Sequence, residues 1–312
     1  MTQDRTQDKT LDLVAIGEAL VEFNRRDPAS TAYWMGFGGD TSNCVIAAAR
    51  LGARCAYITQ LGDDAFGGAL LALWRRERIA TEGVRLLPGA PTGLYFVEHG
   101  AAGHRFSYRR SGSAASLMTP AGLPRELIAR ARRLHCSGLS QAISASARET
   151  VAQALAIARA HGTLVSYDLN YRPALIAAAD ALQLLRETLP HCDLFLPSVD
   201  EFQALTGLSQ PDDIMAWCRD HGARAVVLKQ GAQGCTVWEG GERVAVPATP
   251  VRPVDATGAG DGFAGACLAE LLRGQPLLAA ARLACRAAAL STQVHGAVDS
   301  YPRRDQLEPQ PG

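Results

Sequence analysis

The sequence predicts an α/β fold: a mainly parallel central sheet with helices on both faces and a small β lid beside it. Two observations carry that prediction. Short, β-rich apolar runs alternate with longer Ala- and Leu-rich segments along most of the chain. Such runs belong to strands covered on both faces, and helices between them imply parallel neighbours. Around 33–37 and again within 93–110, extended segments follow one another with no helix between, which is the pattern of a separate small sheet. At 312 residues the chain is long enough for one large domain or two small ones, and a single domain over 1–312 is the simpler expectation.

Taken in order, strands are expected at 11–16, 55–60, 134–137, 164–167, 194–196 and 225–228, with a hairpin strand at 235–238. Helices are expected at 42–51, 65–78, 145–160 and 200–206. Ligands of such a sheet gather beyond the carboxyl ends of its strands. The Pro- and Gln-rich tail after Tyr301 reads as loose.

Bulk properties exclude several classes. Lys plus Arg equals Asp plus Glu at 31 each, so no net field exists to hold nucleic acid or an anionic membrane. Any anion must be caught locally. Residues 1–10 lack a basic-then-apolar layout and no apolar run reaches membrane-span length, so a cytoplasmic location is expected. The eight cysteines are scattered without a CxxC pair and read as reduced core residues. The oligomeric state is not legible, and a homo-oligomer remains open.

The most informative stretch, 254–266, reads V-D-A-T-G-A-G-D-G-F-A-G-A. Gly258, Ala259 and Gly260 let the backbone approach a ligand, and the apolar run after Asp261 continues as a helix. A helix N-terminus with free amides follows, a ready phosphate site. Asp261 could be only a helix cap, but capping does not explain the glycines. A Rossmann fingerprint would need Gly where Phe263 stands, and no P-loop motif occurs.

Residues 255–261, D-A-T-G-A-G-D, resemble the D-T-x-G-A-G-D signature of ribokinase-like sugar kinases of the PfkB family, with Ala256 the departure. The resemblance implies a ribokinase-like fold, ATP and Mg²⁺, with Asp261 as catalytic base and the amides of Gly258, Ala259 and Gly260 as an anion hole. The chemistry is consistent, because phosphoryl transfer asks chiefly for positioning and charge stabilisation. The same resemblance assigns the nucleotide side to Lys229, Gly231 and Gly234 of K-x-G-x-x-G, alternatively an ordinary turn. It also assigns Ser198, where the family carries Asn, and Glu201 as a residue organising the Mg²⁺ shell, alternatively a solvated first-turn Glu. Cys285 falls on the helix that walls the adenine, although a small buried thiol describes it equally well.

On the sugar side Gly38, Gly39, Asp40 and Asn43 match the family's G-G-x-x-x-N, and Asp40, Thr41 or Ser42 could simply cap the helix. Residues 92–96, 108–116 and 168–172 resemble the T-G-L-Y, Y-Y-R-x-G-S-A and D-x-N-x-R segments of 2-keto-3-deoxygluconate kinases. That likeness puts Tyr95, Tyr108, Arg110, Asn170 and Arg172, with Asp261, on substrate-contacting positions. Two guanidinium groups in a chain without net charge call for an anionic partner, and Arg suits a carboxylate. The expected reaction is ATP-dependent phosphorylation of the 6-hydroxyl of 2-keto-3-deoxygluconate. A fructokinase, or a catalytically silent sugar-binding protein, is the alternative. Structural salt bridges at Arg110 and Arg172 would weaken the acid-sugar reading.

Overall fold

The computed structural model describes residues 9–27, 29–100 and 103–307. The polar start, residues 101–102 within the expected lid segment and the tail beyond 307 lie outside the described residues. In chain order the strands are β1 (Leu11–Ile16), β2 (Leu20–Arg25), β3 (Trp34–Gly38), β4 (Cys55–Gly62), β5 (Val84–Leu87), β6 (Leu94–Gly100) and β7 (Gly103–Arg109). They continue with β8 (Ala131–Ser137), β9 (Leu164–Asp168), β10 (Leu194–Phe195), β11 (Ala225–Lys229), β12 (Cys235–Glu239) and β13 (Glu242–Val246).

Nine of them form one sheet in the order β13-β12-β11-β10-β9-β8-β1-β4-β5. Pairing is parallel from β11 to β5, and the hairpin strands β12 and β13 add an antiparallel edge. β1 shows why its apolar run had to be central: Leu13, Val14, Ala15 and Ile16 are all fully buried. Leu13 and Ala15 enter one core, with the helices Asp40–Arg50, Ala259–Leu272 and Leu277–Ser291. Val14 and Ile16 enter the other, with Ala145–Ala160 and Ala178–Thr188. The period-two alternation of a strand thus feeds two cores from one apolar run.

The remaining strands form a second sheet, β3-β2-β6-β7, with β2 and β6 parallel and the outer pairs antiparallel. The segments expected at 33–37 and 93–110 fall here. β2 was not anticipated, because Glu22 and Asn24 interrupt its apolar pattern; both are in fact buried. The tail also differs from expectation. Arg304 turns inward, donating to the Leu51 carbonyl and to Glu270 at 2.6 Å, and docks the short helix Arg304–Leu307. Charge that reads as solvated in sequence is spent on internal acceptors.

Candidate active site

Polar side chains collect where the fold predicts, at the carboxyl ends of the central strands. Glu18 follows β1, Ser137 and Asp168 end β8 and β9, Ser198 follows β10, and Lys229 ends β11. Helix Ala259–Leu272 starts above them. Its N-cap is Gly258 at φ 74, a left-handed conformation, and no side chain caps the helix. A Cβ on Gly258 would meet the Tyr301 hydroxyl at 2.5 Å and Ala297 Cβ at 2.6 Å, so glycine is required for both conformation and space. Tyr301 donates to the Gly258 carbonyl at 2.9 Å. Asp255 accepts from the amides of Thr257 and Gly296, each at 2.9 Å, and holds the turn from below. The exposed Gly260 leaves this turn open toward the cleft.

Asp261, in the first helical turn, is therefore not a cap. Asn43 donates to its Oδ2 at 2.9 Å, and Asn170 Nδ2 approaches Oδ1 at 3.5 Å. Both amides are buried, and their own carbonyl oxygens have no hydrogen-bond partner. Burial, then the negative charge of Asp40, push the Asp261 carboxyl up to about 8, against the pull of Asn43 and Lys229. Asn170 itself stands at φ 38, an uncommon conformation for a residue with a side chain and a sign of local strain. The distance between Asn43 and Asp261 is set one turn below. Gly265 packs against the Cys44 carbonyl and Ala47, where a Cβ would lie 2.7 Å from Ala47 Cβ.

On the nucleotide side Lys229 is buried and pairs with Asp168 at 2.7 Å. It is not an ordinary turn residue: Nζ lies 3.6 Å from where a Cβ on Gly260 would stand, beside the glycine turn. Ser198 and Glu201 form a capping box on the helix Val199–Thr206, Ser198 Oγ accepting from the Glu201 amide and Glu201 Oε2 from the Ser198 amide at 3.1 Å. Glu201 is thus not a solvated first-turn residue. Among the described residues no three His, Cys, Asp or Glu side chains are grouped to hold a metal ion. Gly231 faces open space at φ 55, and Gly234 serves the hairpin, its missing Cβ making room for the Val246 carbonyl. Cys285 is buried with its Sγ 3.6 Å from Cys235 Sγ, and all eight cysteines are free and buried.

The sugar-side residues divide. Asp40 does not cap its helix; Gly39 does so without a side chain, and Asp40 instead accepts from Ser137. Thr41 bonds Tyr57 at 2.9 Å and Ser42 accepts from Trp74 at 3.0 Å, so neither caps. Gly38 admits the Tyr95 ring, and Gly39, at φ 112, passes close to the Glu18 carbonyl. Tyr95 is buried and donates to Glu22. Tyr108 is 43% exposed and stacks on Tyr95 with centroids 5.9 Å apart. Arg172 keeps 47% of its side chain exposed, donates to the Tyr171 carbonyl and stands 3.8 Å from Glu201.

Arg110 corrects the charge argument. Its guanidinium pairs with Glu18, whose side chain is fully buried, so it already has an anionic partner in the protein. Sequence reading passed over Glu18 and Glu22, and gave no role to Asp168 although it opens the 168–172 segment. A carboxylate immediately after a buried apolar strand, as in Gly17-Glu18, was the available signal.

Open strand tips, a glycine-turn helix start and the Asp261 carboxylate beside it form an arrangement suited to phosphoryl transfer. Residues 10–304 match the pfkB family carbohydrate kinases, and the chain belongs to that family. It is a sugar kinase, a phosphotransferase acting on an alcohol group. It is 34% identical to a 2-dehydro-3-deoxygluconokinase of Thermoproteus tenax over 96% of this chain and 93% of that one. It is 32% identical to fructokinase-2 of Solanum habrochaites, covering 93% of each. A solved structure of an E. coli protein provisionally called ribokinase II, in complex with ATP and Mg²⁺, superposes with a TM-score of 0.87 at 25% identity, over 95% of this chain and 97% of that one.

Proposed function

We propose that the chain transfers the γ-phosphoryl group of ATP to the 6-hydroxyl of 2-keto-3-deoxygluconate. The observation that carries the reading is the Asp261 carboxyl, held at 2.9 Å by buried Asn43 at the exit of a left-handed glycine turn. Asp261 takes the hydroxyl proton as the oxygen attacks phosphorus, and ADP leaves with the electrons of the broken P–O bond. The amides of Gly258 and Gly260 receive the transferring group, whereas the Ala259 amide, expected to join them, already donates to the Ala256 carbonyl at 3.1 Å; Lys229 stands beside the turn to meet phosphate charge. ATP fits this turn. Mg²⁺ fits as an ion carried in on the phosphates with its own waters, with Glu201 behind it, because the described carboxylates form no cage. When bound, it neutralises phosphate charge.

The four-stranded sheet serves as a lid, bringing Tyr108 and Arg110 over the sugar, with Gly38, Gly39, Asp40, Asn170 and Arg172 below. The half-exposed Arg172 retains donors for a sugar carboxylate. Eight free, buried cysteines suit a reducing cytoplasm.

A specific observation favours a second reading. Arg110 is balanced by Glu18, which leaves less uncompensated positive charge than an acid requires and suits a neutral hexose. An ADP-release assay with MgATP over keto-deoxy acids and neutral hexoses separates the two. Preference for the keto-deoxy acid supports the proposal; preference for fructose replaces it.

A further inference from the structure

Glu18 has an unusual position for a structural carboxylate. It lies at the carboxyl end of β1, with its side chain fully buried, facing Arg110 just beyond β7. Ser113 donates to its Oε1 at 2.5 Å, and besides Arg110 the ionisable groups close enough to interact with it include Asp40 and the buried Tyr57 phenol. Burial, more than any partner, pushes its carboxyl above the ordinary range. The contact is a direct ion pair between Arg110 Nη2 and Glu18 Oε2, and Arg110 Nε is buried beside it with no hydrogen-bond partner among the described residues. Arg110 also lies over the Tyr108 ring, 5.7 Å from its centroid, and that ring opens to the surface. One guanidinium therefore stands between a buried internal carboxylate and the lid face of the cleft.

We propose that Glu18 is a specificity-determining residue: it is the built-in counter-ion of Arg110, and an acidic sugar replaces it there with uptake of one proton by Glu18, whereas a neutral sugar leaves the pair intact. The inference rests on Arg110 facing the sugar, as proposed above. Its physical basis is that a third carboxylate beside Glu18 and Asp40 in a dry site is costly unless one carboxylate is neutralised. Binding of the acid is then linked to proton uptake, and its affinity falls as pH rises, by about tenfold per unit in the fully linked range. Binding of a neutral sugar has no such slope.

The test is calorimetric titration of the full chain with 2-keto-3-deoxygluconate, and separately with fructose, in buffers of different ionisation heat. Wild type is expected to take up about one proton with the acid and none with fructose. Glu18→Gln should abolish the uptake and tighten the acid about tenfold or more, with little change for fructose. Ser113→Ala, which only weakens the ionised form of Glu18, should move the acid in the same direction by less, and covers the case in which Glu18→Gln does not fold. Acid binding by wild type without proton uptake overturns the proposal. So does an equal change for both sugars in Glu18→Gln, which marks a structural role. If wild type binds fructose alone, the substrate reading fails. Glu18 then stands if Glu18→Gln gains acid binding and falls if it does not.

Discussion

The glycine turn and the sugar face solve the same problem, holding charged groups in a dry place, in opposite ways. The turn spends backbone: amides at a helix start, one left-handed glycine, and Asp255 and Tyr301 pinning it. The sugar face spends side chains, and its charges are partly matched inside the protein, Arg110 by Glu18 and, more loosely, Arg172 by Glu201 at 3.8 Å. Backbone donors need no counter-ion and stay available to a ligand. Side-chain charges have to be balanced, so what they offer a ligand depends on the balance. Chemistry is thus fixed at one end of the cleft and adjustable at the other.

Breaking the backbone end should have the largest effect. Asp261→Asn is expected to lower turnover by roughly 10²–10⁴-fold, the scale for a positioned base, with sugar affinity by calorimetry changed only a few-fold. Wild-type-like turnover would remove Asp261 from the reaction. The same variant tests the environment of the carboxyl. Asp261 titrates at about 8 in the fold against about 4 unfolded, so between those values the native state holds the extra proton and wild-type stability falls as pH rises. Asn cannot ionise. The melting temperature of Asp261→Asn should therefore gain on wild type from pH 4 to pH 8 and then level off.

Next in size is the buried pair. Lys229→Met strands Asp168, and about 3–5 kcal/mol of stability should be lost in denaturant unfolding. Lys229→Met with Asp168→Asn should recover much of it; a double variant as unstable as the two losses added together would show the pair to be uncoupled.

Arg172 sharpens the sugar side. Because it is half-exposed and loosely held, Arg172→Ala should weaken the keto-deoxy acid by about 1.5–3 kcal/mol, less than for a fully buried pair. Lysine should restore only part. An unchanged KM for the acid in a folded variant, with ATP binding intact, would defeat the carboxylate role.

The smallest effect belongs to the latch on the turn. Tyr301→Phe removes one hydrogen bond to the Gly258 carbonyl and should cost about 0.5–1.5 kcal/mol in unfolding experiments.

The same contrast explains what was legible in the sequence. The fold was, since β1, β9 and β11 are largely apolar runs, and the glycine loop around residue 261 stood out because it is contiguous. Glu22 and Asn24 hid β2, since burying a polar side chain depends on partners that local pattern does not contain. The Glu18 and Arg110 pairing spans strands far apart in the chain, and Asp168 is joined to Lys229 only by the order of strands in the sheet. The inward use of Arg304 was hidden for the same reason.

Gly265 carries a consequence for how this enzyme can be altered. The helices bearing Asn43 and Asp261 meet there, backbone against backbone, one turn away from the carboxylate. The pair works as a caliper whose jaws are the Asn43 and Asp261 side chains and whose stop is an absent methyl group. Substitutions at 44, 47 or 265, where the two helices pack on each other, would open the jaws by tenths of an ångström. A search for altered catalysis that confines itself to the cleft would miss the positions that set its gauge.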